Sequence, residues 1–208
     1  MKYLVLSDTH GEIDRALRVA RHYEKEIEGV IHLGDYSRDA EILEEELGCE
    51  VISVKGNCDG DYDGDFKVLD TPAGRILLTH GHGQKVKMSL INLIYRAQEL
   101  DCSAALFGHT HVSLVSEEGG VLLVNPGSLT YPSDGSGGSF AMLDVSGDEP
   151  LATVMYYDAF ARGTAPQASA PGASGNDSDK SSSGTVAKPA NRKRSGHLRN
   201  LLNNSDRL

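Results

Sequence analysis

The chain has no tryptophan, only three cysteines, and no run of about 18 apolar residues. The last absence predicts that no helix spans a membrane. Cys49, Cys58 and Cys102 are scattered, so they form neither a disulfide framework nor a zinc-type pair. That usage fits a reducing compartment. From Met1 a short apolar stretch runs straight into Asp8, with no basic segment and no small-residue cleavage site. No signal peptide is therefore expected, and a cytoplasmic location follows.

Positive charge is scarce where a folded body is expected. Residues 1–160 hold 12 Lys/Arg against 27 Asp/Glu, a net of −15, and residues 161–208 hold 8 against 3, a net of +5; together they give the −10 of the whole chain. Long nucleic acid is held through basic side chains, so an acidic body argues against it as a partner. Small phosphorylated substrates stay compatible, because bound divalent cations reverse the local field.

The hydrophobic pattern begins as strand and helix in alternation. Strands are predicted over Lys2–Ser7, Gly29–Leu33 and Glu50–Val54. Helices are predicted over Glu12–Glu26 and Ser37–Leu47, with Ser37 as N-cap and Gly48 just past the end. This rhythm predicts a parallel sheet with right-handed crossovers. Strands Asp65–Asp70 and Arg75–Thr79 then flank Pro72-Ala73-Gly74, a helix covers Lys87–Leu100, and a strand covers Ala104–Phe107. Val112–Ser116 and Gly120–Val124 form a hairpin, and Ser139–Val145 and Leu151–Tyr157 close the domain. The architecture expected is α/β, two sheets packed face to face with helices outside.

From about Arg162 the composition turns to Ala, Ser, Gly, Pro and Asn, and periodicity is lost, which reads as a disordered tail over 161–208. It carries a basic cluster at Asn191-Arg192-Lys193-Arg194, and Leu198, Leu201 and Leu202 could form a weak helical turn. A solvated tail is the main expectation; a docking peptide for an anionic partner is the alternative.

Metal-type side chains stand where predicted strands stop: Asp8 and His10, then Asp35, Asn57 and His80, then His109 and His111. In open α/β sheets, sites form beyond the carboxyl ends of the strands. Segments far apart in sequence would thus converge. Asp8 and His10 are two apart, and in extended backbone such side chains point the same way. His109 and His111 share that spacing; if the chain turns there, one could serve each of two ions. Imidazole, carboxylate and amide ligands suit Mn²⁺, Fe²⁺, Ni²⁺ or Zn²⁺, and no thiolate is needed. Two ions about 3.5–4 Å apart can clamp a phosphoryl group and lower the pKa of bound water. Any one of these blocks alone is weak; a lone Gly-Asp is usually just a turn.

Taken in order, Asp8-x-His10, Gly34-Asp35, Gly56-Asn57, His80-Gly81 and Gly108-His109-Thr110-His111 resemble the five signature blocks of the calcineurin-like metallophosphoesterases. The Gly-Asn-Cys-Asp block and Asn125-Pro126-Gly127-Ser128 are similar to the small phosphodiesterases of the YfcE type. The resemblance covers residues 1 to about 158, and so implies a metallophosphoesterase domain over 1–160. It implies a four-layer αββα sandwich of two mixed sheets with a dinuclear site at one sheet edge. It also implies Asp8, His10 and His111 on a first metal, Asn57, His80 and His109 on a second, and Asp35 bridging. Mn²⁺ is the metal it favours. The reaction implied is in-line attack of a metal-bound hydroxide on a small phosphate ester, without a covalent phosphoenzyme. The catalytic set implied is Asp35, Asn57, Cys58 and His109. Oligomeric state is left open, with a dimer among the options.

One position departs from the common pattern: many members have His where Cys58 stands. That His is thought to protonate the leaving group, and a thiol is a weak hydrogen-bond donor. A small phosphodiesterase branch also has Cys there, so the change favours activated diesters rather than an inactive protein. The plainer reading of Cys58 is a small packing residue. His32 is expected to be packed or on the surface, His82 to stand near the site, and His22 and His197 to be surface and tail residues. Asn125 to Ser128 is expected to support the site, with phosphate contact by Ser128 a lesser option. Asp61, Asp63 and Asp65 read as an acidic surface loop, lacking the later Glu of an EF-hand. Against the phosphodiesterase stand a catalytically silent interaction scaffold of the same fold and a nuclease. The complete ligand set speaks against the first and the acidic body against the second.

Overall fold

The computed structural model describes residues 1–60 and 64–164. The tail reading from residue 165 onward, and Asp61 and Asp63, lie outside the described residues.

The elements run in the order Lys2–Leu6 (β1), Asp14–Tyr23 (α1), Gly29–His32 (β2), Ser37–Leu47 (α2), Val51–Ser53 (β3), Phe66–Thr71 (β4) and Gly74–Thr79 (β5). Ile91–Glu99 (α3), Cys102–Leu106 (β6), Ser113–Glu118 (β7), Val121–Pro126 (β8), Ser139–Asp144 (β9), Leu151–Tyr156 (β10) and Tyr157–Ala161 (α4) follow. They build two five-stranded sheets, β10-β9-β1-β2-β3 and β4-β5-β6-β8-β7. β1, β2 and β3 are parallel, as are β5, β6 and β8; the added hairpins and β9 make both sheets mixed.

Strand alternation sorts the apolar residues into layers. Tyr3, Val5 and Ile31 face Ile76, Leu78, Leu106 and Val124 across the gap between the sheets. Leu4, Leu6 and Val30 instead meet Ala16, Val19, Ala20 and Leu43 of the first two helices. Leu77, Ala105 and Leu123 pack on Leu93, Ile94 and Ala97 of α3. The result is the four-layer αββα sandwich. Each fully buried Leu or Ile of these layers contributes about 1.5–3 kcal/mol over exposure.

Three local expectations need correction. Ser37 is the first helical residue of α2 rather than its cap; Tyr36 holds the N-cap position in left-handed backbone. The Ser37 N–H donates to Asp59 Oδ1 at 2.6 Å, so a distant carboxylate does the capping. Helix α3 begins at Ile91, not Lys87, because the Ser89 hydroxyl accepts the Ile91 N–H (3.2 Å). Tyr157 begins a short helix instead of ending a strand. Gly48 does end α2 as predicted, with φ 64° and its N–H on Glu44 O. Among the described residues no helix is long and apolar enough to cross a membrane.

Candidate metal centre

Because each parallel trio runs in one direction, its carboxyl ends share an edge. β1 leads to Asp8 and His10, β2 to Asp35, and β3 to Asn57, which opens a single 3-10 turn over Asn57–Asp59. In the other sheet β5 leads to His80, β6 to His109 and His111, and β8 to Ser128. Backbone and side-chain bonds tie the two edges together. His109 N donates to Asp8 Oδ2 at 3.0 Å, Ser128 Oγ to Asp8 O at 2.9 Å, and His80 Nδ1 meets Leu33 O at 2.7 Å, while Gly108 N donates to His80 O at 3.0 Å within the second edge.

The turns after β1, β2 and β6 are made by left-handed backbone. Asp8 (φ 55°), His10 (φ 50°), Asp35 (φ 58°), Tyr36 (φ 72°), His109 (φ 67°) and His111 (φ 58°) all lie there, although none is glycine. Such conformations cost about 1–3 kcal/mol each and cluster at functional sites. They also replace the extended-backbone argument for the two-residue spacing. Asp8 and His10 converge because the chain coils left-handed after β1, not because a strand continues. At His109 and His111 the chain turns likewise. The His111 ring goes to Asp8 and His10, and the His109 ring stands 5.0 Å from that of His80.

The ligand atoms form overlapping groups. Asp8, His10 and His111 make one, Asp8, Asp35 and His80 another, and His10, Asp35 and Cys58 a third, each with its atoms within 4.8 Å of one another. Asp35 joins the two halves, with Oδ2 3.7 Å from His10 Nε2 and Oδ1 3.4 Å from His80 Nε2. Asn57 Oδ1 is 3.2 Å from His80 Nε2. His109 is brought to the same place, but its ring nitrogens belong to none of the three groups. Cys58 is exposed rather than packed, and its Sγ reaches the His10–Asp35 group, which corrects the plainer reading.

The hydrogen bonds identify which lone pairs are free. His80 Nδ1 is 2.7 Å from Leu33 O, and a carbonyl only accepts, so Nδ1 carries the proton. In the neutral ring, Nε2 then offers a lone pair, and it faces oxygens of Asn57, Asp35 and Asp8. His111 repeats the design: Nδ1 donates to Tyr131 O at 2.7 Å, and Nε2 faces His10 Nε2 and Asp8 Oδ1, both at 3.3 Å. Asp8 Oδ1 is buried and accepts no well-formed hydrogen bond. Lone pairs thus point at lone pairs around the buried Asp8 and His80, an arrangement that a cation or extra protons must relieve. The residues present fit divalent metal.

Electrostatics follow this geometry. Burial would raise the Asp8 carboxyl, but contact with His111, the neighbouring His80 ring and the Ser7 hydroxyl hold it below the ordinary range. The same Asp8 contact raises His111 against the opposing effect of burial. Burial, then the neighbouring His80, lowers His109 to about 4, which keeps its ring neutral near pH 7. Burial and the Asp35 carboxylate push the Cys58 thiol up to about 11.

Supporting residues fall into those expected and those missed. Ser128 is fully buried, donates to Asp8 O, and accepts from Thr130 N and Tyr131 N (3.2 and 2.9 Å), leaving it no role on phosphate. Asn125 Nδ2 holds Gly108 O at 2.9 Å and Thr110 Oγ1 at 3.0 Å, which fixes the His109 loop. His32 is fully buried beside Thr9 (2.9 Å), and burial lowers its pKa. Asp39 and Asp59 match no ligand pattern in the sequence, yet both support the site. Asp39 Oδ2 accepts from Thr9 Oγ1 (2.6 Å) and Gly11 N (2.8 Å), bracing the Asp8–His10 turn. Asp59 accepts from Gly56 N and Ser37 N, clamping the Asn57 turn to α2. Its place three residues after Gly56 was a readable turn signal; Asp39 carries none.

A four-layer αββα sandwich with a cluster of possible metal ligands between its sheet ends is a defined class of protein. Residues 1–148 match the calcineurin-like phosphoesterase superfamily domain, and the chain belongs to that superfamily. It is 37% identical over 162 residues to the probable metallophosphoesterase YsnB of Bacillus subtilis, covering 76% of this chain and 91% of that one. With the phosphodiesterase YfcE of Escherichia coli K12 it shares 26% identity over 173 residues, covering 69% and 88%. It also resembles the crystal structure of Vps29 from Entamoeba histolytica in complex with Zn²⁺, with TM-score 0.60, 25% identity and coverage of 75% and 92%.

Proposed function

We propose that the chain is a metal-dependent phosphodiesterase that hydrolyses a small phosphate ester at a dinuclear site. The observation that carries this reading is the His80 ring, locked by Leu33 O so that its free nitrogen meets only acceptor oxygens. In this reading Asp8, His10 and His111 hold one ion, Asn57, His80 and His109 a second, and Asp35 bridges them. Mn²⁺ is the first choice, with Fe²⁺, Ni²⁺ and Zn²⁺ as substitutes. Bound divalent ions supply charge neutralisation at the phosphoryl group and a water of low pKa. The chain's own part is to hold these ligands under backbone strain and to keep the His80 and His111 tautomers fixed.

Cys58 then shapes the choice of substrate. Its exposed thiol stands beside Asp35, and a thiol is a weak hydrogen-bond donor that gives up its proton less readily than an imidazolium. A leaving group that needs no protonation suits such a site, so diesters with acidic leaving groups are favoured over ordinary monoesters. The test is hydrolysis of bis-p-nitrophenyl phosphate against p-nitrophenyl phosphate with Mn²⁺. We expect the diester to be preferred and a chelator to abolish turnover; turnover indifferent to chelation would refute the metal mechanism. Cys58→His should shift the ratio toward the monoester by about 10-fold or more, and an unchanged ratio would remove Cys58 from the argument.

Asp59 gives a prediction that touches no ligand. Asp59→Ala frees the Asn57 turn from α2, and Mn²⁺ affinity measured by calorimetric titration should fall about 10–100-fold. Wild-type affinity would show that the clamp does not matter.

The likeness to Vps29 supports a second reading, an interaction scaffold. It predicts metal binding without turnover on any diester, and the same assay separates the two. The unpaired Cys49, Cys58 and Cys102 support a reducing, cytoplasmic setting. Residues 1–160 are the proposed catalytic unit, and 161–208 an appended tail.

A further inference from the structure

Two large aromatic side chains stand open at the mouth of the metal centre. Tyr36 is 44% exposed and Tyr131 is 48% exposed, although both sit beside candidate ligands. Their ring centroids lie 5.5 and 5.7 Å from that of His10, with interplanar angles of 68° and 82°, so neither is stacked flat on the imidazole. Each ring is carried on fixed backbone. Tyr36 occupies left-handed conformation directly after Asp35, and its carbonyl accepts the Asp39 N–H at 2.9 Å. Tyr131 donates its N–H to Ser128 Oγ, and its carbonyl accepts from His111 Nδ1. A bulky ring at left-handed φ is costly where Asn or Gly would be easier. Leaving that ring half in water adds no core.

We propose that Tyr36 and Tyr131 form an aromatic rim that selects diesters carrying a planar aromatic group, a nucleobase or an aryl ring, beside the phosphate. The inference rests on the phosphodiesterase reading. Tyrosine gives a wide, rigid contact face with little rotamer entropy to lose. Stacking a base on such a face is sequence-tolerant and worth about 10-fold or more in affinity per ring. The acidic body keeps polynucleotides out, so the substrate is small, of mono- or dinucleotide size or an aryl ester.

Equilibrium binding separates this from the catalytic claim. AMP, phenyl phosphate and methyl phosphate are titrated calorimetrically into the Mn²⁺-loaded full chain. The rim predicts AMP or phenyl phosphate binding at least about 10-fold tighter than methyl phosphate. AMP tighter than phenyl phosphate assigns a nucleobase; the reverse assigns an aryl ring. Tyr36→Asn, which keeps a residue tolerant of left-handed backbone, and Tyr131→Ala should each shrink the aromatic-to-methyl ratio by about 10-fold. Tyr36→Phe and Tyr131→Phe should retain it, since the ring and not the hydroxyl does the work. Equal binding of all three phosphates by the wild type, or a preference that survives loss of both rings, overturns the rim. A preference that persists while bis-p-nitrophenyl phosphate is not hydrolysed would instead sink the phosphodiesterase reading and leave the rim standing.

Discussion

Asp35→Asn is expected to lower bis-p-nitrophenyl phosphate turnover by about 10³-fold, the scale seen when one charge-stabilising group is removed from a preorganised site. Asp35 turns one oxygen to each half of the centre, Oδ2 to His10 and Oδ1 to His80. Asparagine keeps the shape and can still accept the Cys58 N–H, now 2.9 Å from Asp35 Oδ1. What it loses is the negative charge that a bridging position needs. Folding should be unaffected, because the substitution removes a nearly buried carboxylate. The measurements are turnover and Mn²⁺ stoichiometry on the same preparation. We expect the stoichiometry to fall from two ions toward one; an Asp35→Asn enzyme with wild-type turnover would dismantle the dinuclear proposal.

Gly108→Ala is expected to cost about 2–3 kcal/mol of stability and to abolish most activity. A Cβ at Gly108 would run into the Ser7 hydroxyl and come within 2.8 Å of Asp8 Oδ2. The backbone cannot step aside, because Gly108 N is bonded to His80 O and Gly108 O to Asn125 Nδ2. Either Asp8 moves, taking with it a carboxylate that anchors the first ligand group, or the His109 loop does. A urea midpoint equal to that of the wild type would show that the two sheet edges are less tightly joined than these contacts indicate. A Cβ at Gly56 would meet Asp35 in the same way. The glycine before each of these ligands is therefore a packing requirement, not only a turn signal.

Much of the site was legible because its residues stand at the ends of predictable strands. Asp8, Asp35, Asn57 and His109 are each set off by a strand pattern followed by Gly or Ser, His80 stands directly after its strand with Gly81 behind it, and the parallel rhythm implies that such ends share an edge. The layered fold was legible for a similar reason, as Tyr3/Leu4 and Ile76/Leu77 alternate between two apolar surroundings. Other features had no local signal. The two-residue spacing of Asp8 and His10 looked like extended strand, whereas both are left-handed, because the tertiary hydrogen bonds of Asp39 and Ser128 hold that turn. Ser37 looked like a cap, yet Asp59, 22 residues away, supplies the acceptor.

The linear chain alone determined which groups could bind metal, in what order they come, and that an acidic α/β body carries them. Those are matters of residue chemistry and of periodicity along one strand or helix. The tertiary structure decided which nitrogen of His80 and His111 is free, that Cys58 faces the centre, and that two tyrosines stand at its mouth. Those outcomes depend on contacts such as Leu33 O to His80 and Tyr131 O to His111, made between residues 47 and 20 positions apart, and no local pattern encodes them.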